Sequence, residues 1–172
     1  MSFTFSTVDR FIAGTVGVPG ERQFFLQIRS GTRLICASLE KAQVSTLAER
    51  LKIMTQQILK QNPLQFVAQK TIDDQPLEQP IENDFDIGAI SISWNEENAK
   101  ICVELFSRQD FIANEIEEEN AELTFNLDIG QVQSFVQRAL QLVNAGRLPC
   151  PFCAIPIDPH GHLCPRANGY RR

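Results

Sequence analysis

Two segments of the chain, Ile35-Cys-Ala-Ser-Leu-Glu-Lys-Ala-Gln-Val-Ser-Thr-Leu-Ala-Glu-Arg50 and Leu123-Thr-Phe-Asn-Leu-Asp-Ile-Gly-Gln-Val-Gln-Ser-Phe-Val-Gln-Arg138, align without a gap. Each begins with an apolar run that favours a β-strand and continues with apolar residues at helical spacing. In both, the strand ends in a leucine followed by an acid, Leu39-Glu40 and Leu127-Asp128. The sequence therefore predicts the same strand-to-helix unit twice.

The helices of these two units are predicted to run from about Glu40 to Lys60 and from about Ile129 to Asn144. Ser38 and Asn126 are the predicted N-caps, because a short polar side chain ahead of an acidic residue favours a helix start. Gly146 follows the second helix, where glycine commonly ends a helix. The residues expected to face the core are Val44, Leu47, Ala48, Leu51, Met54 and Ile58 in the first helix and Val132, Phe135, Val136, Ala139, Leu140 and Val143 in the second.

Strands are predicted ahead of each helix, in two sets of three. Ile90, Ile92 and Trp94 alternate with serines, which is typical of a half-buried antiparallel strand. The predicted strands are Arg10–Gly17, Arg22–Arg29, Thr32–Leu39, Phe85–Trp94, Ala99–Phe106 and Ala121–Leu127. The predicted fold is therefore α+β, with an antiparallel sheet and two β-β-β-α-like halves that arise from an internal duplication. The alternative is two similar strand-to-helix corners without a duplication.

Changes in composition divide the chain. Prolines among polar residues predict a long connection between the two halves. Within it, Leu64, Phe66 and Val67 are predicted to form a short extra strand. The predicted divisions are an α+β body at 1–146, with halves at about 1–62 and 85–146, a linker at 63–84 and a zinc-binding tail at 147–172.

Three of the five cysteines and both histidines lie in the tail. Cys150-Pro-Phe-Cys153 places two thiolates across a tight turn, where backbone amides can point at the sulfurs and one side of a tetrahedral metal can be bound. His162 and Cys164 are the expected second pair, because two ligands two residues apart suit an extended turn. His160 is the alternative ligand. The turn after Cys153 usually ends in glycine, and here the residue is Ala154.

Zinc is the expected metal, because it suits a mixture of thiolate and imidazole ligands, and iron is the alternative. Three thiolates and one imidazole complete a tetrahedron, and closed sites of this kind are generally structural. A redox Cys-x-x-Cys is a competing interpretation, but that motif normally opens a helix within a β-α-β unit. A hydrolytic site with His160 as general base is another interpretation. No glutamate lies next to the ligands to activate a metal-bound water, and Asp158 is the one acid of the tail. We therefore expect a structural Zn²⁺.

The net charge of −5 is unevenly distributed. The tail carries four arginines and one aspartate, so the acidic excess lies in the body, which argues against nucleic-acid binding there. Met1 to Arg10 contains no charged leader, and the sequence has no uncharged apolar window of about 18 residues. We expect a cytoplasmic protein without a membrane partner, and in that compartment clustered cysteines favour metal binding over disulfides.

The tail also carries Pro156-Ile-Asp-Pro159, Gly161-His-Leu-Cys164 and Arg166-Ala-Asn-Gly-Tyr-Arg-Arg172 after its Cys-Pro-Phe-Cys motif. Together with Phe11-Ile-Ala-Gly-Thr-Val-Gly17 and Arg22-Gln-Phe-Phe-Leu-Gln27, these motifs resemble the uncharacterised actinobacterial domain-of-unknown-function family 3090 over essentially the whole chain. That family has no established activity, so the resemblance implies no substrate. Its Gly-His-x-Cys pattern corresponds to Gly161, His162 and Cys164, which implies that His162 rather than His160 is the ligand.

The sequence predicts a non-catalytic zinc-binding adaptor or regulatory module with a protein partner. The body has no histidine, no glycine-rich phosphate loop and no Gly-x-Ser-x-Gly motif, and no catalytic residue is identified. One alternative is an enzyme acting on a phosphorylated or other anionic small molecule, and a second is nucleic-acid binding through the basic tail. Arginines beside an aromatic suit recognition of anions, so the candidate anion- or partner-binding residues are Arg166, Tyr170, Arg171 and Arg172.

Overall fold

A computed structural model of the protein describes residues 2–68, 70–109, 121–158 and 160–166. Within these residues the chain forms a mixed sheet of seven strands with two helices, which confirms the predicted α+β class. The elements are β1 (Phe3–Phe5), β2 (Arg10–Val16), β3 (Gln23–Ser30), β4 (Arg33–Leu39), α1 (Lys41–Gln61), β5 (Phe85–Asn95), β6 (Lys100–Ser107), β7 (Leu123–Leu127) and α2 (Ile129–Asn144).

The strands lie in the order β1-β7-β6-β5-β4-β3-β2. Neighbours are antiparallel except at two places, where β1 pairs with β7 and β4 with β5 in parallel, so the sheet is mixed rather than antiparallel throughout. Each half is a meander of three strands followed by a helix, β2-β3-β4-α1 and β5-β6-β7-α2. The order of elements is the one that an internal duplication would produce, and the duplication itself stays a prediction.

The sheet is strongly curved because its two edge strands are joined by a very short connection. In a flat sheet, the six spacings between β1 and β2 would separate the strands by about 29 Å. Five residue steps lead from Phe5 to Arg10 and span at most about 19 Å. The rings of Phe11 in β2 and Phe125 in β7 meet edge to face, with centroids 5.1 Å apart. The curvature therefore brings opposite ends of the strand order together.

Both helices pack on the concave face of this sheet. Phe135 of α2 stacks on Phe11 with ring centroids 4.0 Å apart, so α2 lies where the two sheet edges approach each other. Along α1 the buried residues are Val44, Leu47, Ala48, Leu51, Thr55 and Ile58, which matches the predicted stripe except at Met54 and Thr55. In α2 the buried residues are Ile129, Gly130, Val132, Phe135, Val136 and Ala139.

The predicted N-caps are wrong by two residues: Glu40 and Asp128 cap the helices in place of Ser38 and Asn126. Ser38 and Asn126 are still paired with neighbouring strands, so their backbone keeps the extended conformation of the sheet and cannot yet begin a helix. Asp128 Oδ1 accepts a hydrogen bond of 2.7 Å from the Gln131 N–H, and Gln131 Oε1 accepts one of 3.0 Å from the Asp128 N–H. An equivalent capping box forms between Glu40 and a glutamine three residues later.

The segment at 63–84 contacts α2 in its first half, where the Ser134 hydroxyl donates to Thr71 O at 3.1 Å, and then reaches the face of the sheet opposite the helices. Its first residues, 63–68, form no strand, so the extra strand predicted there is wrong, and Leu64 and Phe66 are exposed. Farther along, Leu77 is buried in a small apolar cluster with Ile12, Phe25 and Cys36. A Cβ at Gly14 would lie only 2.5 Å from Leu77, so the glycine makes room for this contact.

Ion pairs and hydrogen bonds of two arginines hold the same segment against β2 and α2. Arg10 donates through Nη2 to Asp73 Oδ1 at 2.9 Å and also forms an ion pair with Glu78. Arg138 donates to the carbonyl oxygens of Ala13 and Gln75, both at 2.7 Å. Because both arginines have little exposure, these contacts are only weakly screened by water. The segment therefore belongs to the packed structure over residues 73–78.

Asp73→Asn is expected to change how stability depends on pH. The hydrogen bond from Arg10 holds the pKa of Asp73 below its ordinary value, against the opposing effect of burial. A carboxyl with a depressed folded-state pKa stabilises the protein above its unfolded pKa, about 3.9, and this stabilisation is lost as the pH falls below it. The urea midpoint of wild type should therefore fall between pH 5 and pH 3, roughly the range set by this pKa, more than that of Asp73→Asn.

Asp74→Asn is the matched control, because Asp74 is adjacent and exposed. It should keep the wild-type loss of stability in acid. If the urea midpoint of Asp73→Asn falls between pH 5 and pH 3 as much as those of wild type and Asp74→Asn, this carboxylate is not a stabilising partner of Arg10.

Candidate metal centre

The chain beyond α2 turns back on itself to form a short hairpin. The Ile157 N–H donates to Leu148 O, and the Cys150 N–H donates to Ile155 O, both at 2.9 Å. Between these bonds the Ala154 N–H donates to Cys150 O at 2.8 Å and closes the turn that carries Cys150 and Cys153. The hairpin therefore presents both cysteines from one tight turn, as the Cys-x-x-Cys spacing predicts.

Ala154 ends this turn with a φ of +61°. A side chain is disfavoured in this left-handed region, which glycine adopts readily. The local geometry is thus the one for which glycine is usual, and the chain accepts an alanine there.

Four side chains converge beside this turn: Cys150, Cys153, His162 and Cys164 each offer one ligand atom, and these atoms all lie within 4.8 Å of one another. Cys150 Sγ and Cys164 Sγ are 3.8 Å apart, and Cys153 Sγ and His162 Nε2 are 3.3 Å apart. Two sulfurs at tetrahedral positions about 2.3 Å from a zinc ion would be about 3.8 Å apart, and a sulfur and a nitrogen about 3.6 Å. The donor set and its spacing therefore fit a tetrahedral metal ion.

The surroundings of the thiols differ between the two members of the turn. Burial opposes ionisation of Cys150, but hydrogen bonds from the backbone N–H groups of Phe152 and Cys153 and from neighbouring thiols bring its pKa below the ordinary value. Burial and the neighbouring thiols raise the pKa of Cys153, although the Ile155 N–H donates to its sulfur. Backbone N–H groups thus point at both sulfurs, which is the arrangement expected of a turn that binds one side of a tetrahedral metal.

His160 lies outside the group of four. Its Nε2 is 3.1 Å from Oε1 of Glu21, in the loop between β2 and β3, and its side chain is exposed. Between the two histidines, Gly161 has a φ of +86° and its N–H donates to Asp158 O at 2.8 Å. This turn directs the two histidines to different neighbours.

The candidate anion-binding residues are described only in part. Arg166 donates through Nη1 to the carbonyl oxygen of Phe152 at 3.2 Å, so it braces the cysteine turn. Tyr170, Arg171 and Arg172 lie outside the described residues. Arg147 forms an ion pair with Asp158 within the tail. Sequence reasoning did not find Glu21 as a partner of the tail, because no local pattern links it to His160.

We call residues 147–166 the metal module. Across the described part of the chain, no helix has the length and apolar character needed to cross a membrane.

A family model described as "Protein of unknown function (DUF3090)" matches residues 3–164. The match begins at the first strand and ends at Cys164, so it includes all four residues of the Cys/His group. No curated protein and no solved structure matches the chain significantly.

Proposed function

The chain belongs to the DUF3090 family of proteins of unknown function, and we propose that it acts as a non-catalytic adaptor or regulatory module whose metal module is held in shape by one structural Zn²⁺. The observation that carries this proposal is the convergence of three cysteines and one histidine within 4.8 Å. The choice of Zn²⁺ in this proposal is supported by the donors, because thiolate and imidazole ligands in a tetrahedral arrangement suit that ion.

A structural role is supported by the number of ligands. Four protein donors fill a tetrahedral zinc site, so no coordination position stays open for water or substrate. The acid nearest in sequence, Asp158, is engaged by Arg147. His160 contacts Glu21 in place of the metal group. These contacts support a structural role for the metal. A bound Zn²⁺ would coordinate the four side chains and so hold the fold of the metal module.

An adaptor role is supported by apolar side chains that the metal module leaves in water. Leu148 is 78% exposed and Leu163 is 85% exposed, and Phe152 and Ile155 are exposed as well. All four lie within sixteen residues of one another along the chain, and it is the clustering of exposed apolar residues, rather than their single occurrence, that marks an interaction surface. Since the tail carries four arginines and one aspartate, the complementary partner is a protein segment that combines apolar and acidic residues.

The experiment is cross-linking of the tagged protein in cells of its source organism, followed by identification of peptides joined to residues 147–166. The double variant Phe152→Ser, Leu163→Ser should lose these cross-links. The matched control is Leu64→Ser, Phe66→Ser, which removes two exposed apolar side chains from the linker and should retain them. Unchanged cross-links in the first variant, or turnover of a phosphorylated metabolite by the purified protein, would contradict the adaptor role.

A further inference from the structure

A second candidate site lies in the body, in a cleft at the end of β4 and the start of α1. The cleft has a volume of about 440 Å³, which is within the range of small-molecule sites. Its positively charged residues come from three places far apart in sequence: Arg22 precedes β3, Lys41 begins α1, and Arg108 follows β6. Their convergence comes from the order of strands in the sheet.

Two of these cations are left without an acidic partner among the described residues. Arg22 lies over the ring of Phe24, 5.1 Å from the centroid, and donates one long hydrogen bond of 3.4 Å to Leu142 O. Lys41 forms no ion pair within the part of the chain that the structure describes, and both residues are accessible from the cleft. A positive charge without a counter-charge in a concave site favours an anionic ligand.

The two acids in the cleft are already engaged. Asp86 accepts hydrogen bonds from the Ser38 hydroxyl and from Asn83 Nδ2, which hold its pKa below the ordinary value. Glu40 caps α1 and pairs with Arg108, with Nη2 and Oε1 3.2 Å apart. With three cations and two carboxylates, the described lining of the cleft has an excess of one positive charge. Arg22 and Lys41 are the cations that form no ion pair with these carboxylates among the described residues.

The cleft continues toward the metal module. A second cavity of about 230 Å³ shares Arg22, Phe24 and Lys41 with the first and adds Gly146 and Arg147. Arg22 and Lys41 thus stand between the two cavities, with a further arginine at the base of the metal module. A ligand that contacts both cations would lie beside the point where the module leaves the body.

We propose that this cleft binds a phosphorylated small molecule, with Arg22 and Lys41 as its phosphate contacts. An arginine provides directed donors and a lysine a compact charge, and both are common phosphate ligands. Phe24, Phe25 and Leu39 line the cleft wall and are each 6–9% exposed, so they offer a small apolar surface to the carbon part of such a ligand. The proposal assigns no phosphate contact to the tail arginines and does not require the adaptor role of the metal module.

The test is calorimetric titration of the full chain with inorganic pyrophosphate at constant ionic strength. Lys41→Gln and Arg22→Gln should each weaken binding by about tenfold or more, because each removes a charge-assisted hydrogen bond. Lys52→Gln is the matched control, since Lys52 is exposed on the same helix outside the cleft and its loss should change the affinity by less than about twofold. Thermal unfolding verifies that each variant is folded.

Three outcomes would overturn the proposal: no saturable binding by wild type, equal weakening in Lys52→Gln and Lys41→Gln, or tighter binding of citrate than of pyrophosphate. Equal weakening would indicate a general effect of charge, and preference for citrate would indicate a carboxylate site. Zinc content is measured in the same samples and should be equal in all of them. Failure of the cleft proposal therefore leaves the metal proposal intact, and the reverse also holds.

Discussion

Cys153→Ser is expected to abolish stoichiometric zinc binding and to unfold the metal module while the body stays folded. A serine hydroxyl is a poor replacement for a thiolate, so the site would keep three of its four ligands. Structural zinc contributes apparent binding free energies of about 10–16 kcal/mol in small zinc domains, and this energy is what orders them. Among the described residues of the module, the ligand side chains Cys150 and Cys164 are buried and four apolar side chains are exposed, so it has little packing to replace the metal.

The measurement is zinc per chain by mass spectrometry, together with limited proteolysis. Cleavage within residues 147–166 should become rapid in Cys153→Ser or after chelation. Cys102→Ser is the control, because Cys102 lies in β6, away from the metal group. Retention of one zinc per chain and of protease resistance in Cys153→Ser would show that this residue is not a ligand.

Phe135→Ala is expected to lower the free energy of unfolding by about 3–5 kcal/mol, the usual cost of truncating a buried phenylalanine. Phe135 is 1% exposed and stacks on Phe11, which in turn contacts Phe125. The truncation would leave a cavity where α2, β2 and β7 meet, and this is the place where the curved sheet approaches closure. The loss should therefore exceed the average for a core substitution.

Urea unfolding at neutral pH measures this loss. Ile53→Ala is the control, because it shortens an apolar side chain on the exposed face of α1 and should change stability by less than about 0.5 kcal/mol. Equal losses in the two variants would mean that the contact between α2 and the two sheet edges does not stabilise the fold as described.

Local patterns predicted the helices and most of the strands. The second helix has the predicted bounds, Ile129–Asn144, because the spacing of its apolar residues is helical throughout and a strand directly precedes it. The caps were misplaced because β4 and β7 continue one residue beyond Ser38 and Asn126, and that extension depends on pairing with other strands. Strand β1 was missed, since Phe3–Phe5 is short and is defined only by its parallel pairing with β7.

The curvature of the sheet could not be predicted from periodicity. It follows from the strand order together with the short connection between Phe5 and Arg10, and the order depends on contacts distant in sequence. The packed state of residues 73–78 was missed for the same reason. Their partners, Arg10 and Arg138, lie more than sixty positions away on either side.

The candidate metal centre was visible in the sequence because its four residues lie close together along the chain. The choice between the histidines follows in the structure from the turn at Gly161, which directs His162 to Cys153 and His160 to Glu21. The cleft could not be predicted from the sequence, because Arg22, Lys41 and Arg108 come from separate elements and match no short motif.

The most direct measurement of the central claim is zinc content of the protein purified without added metal, compared with His160→Ala and His162→Ala. The two variants remove the same side chain two positions apart, so each controls for the other. We expect one zinc per chain in wild type and in His160→Ala, and its loss in His162→Ala, because His162 Nε2 lies within the ligand group and His160 does not. Equal zinc in all three proteins, or a zinc that carries an exchangeable water, would contradict a closed structural site.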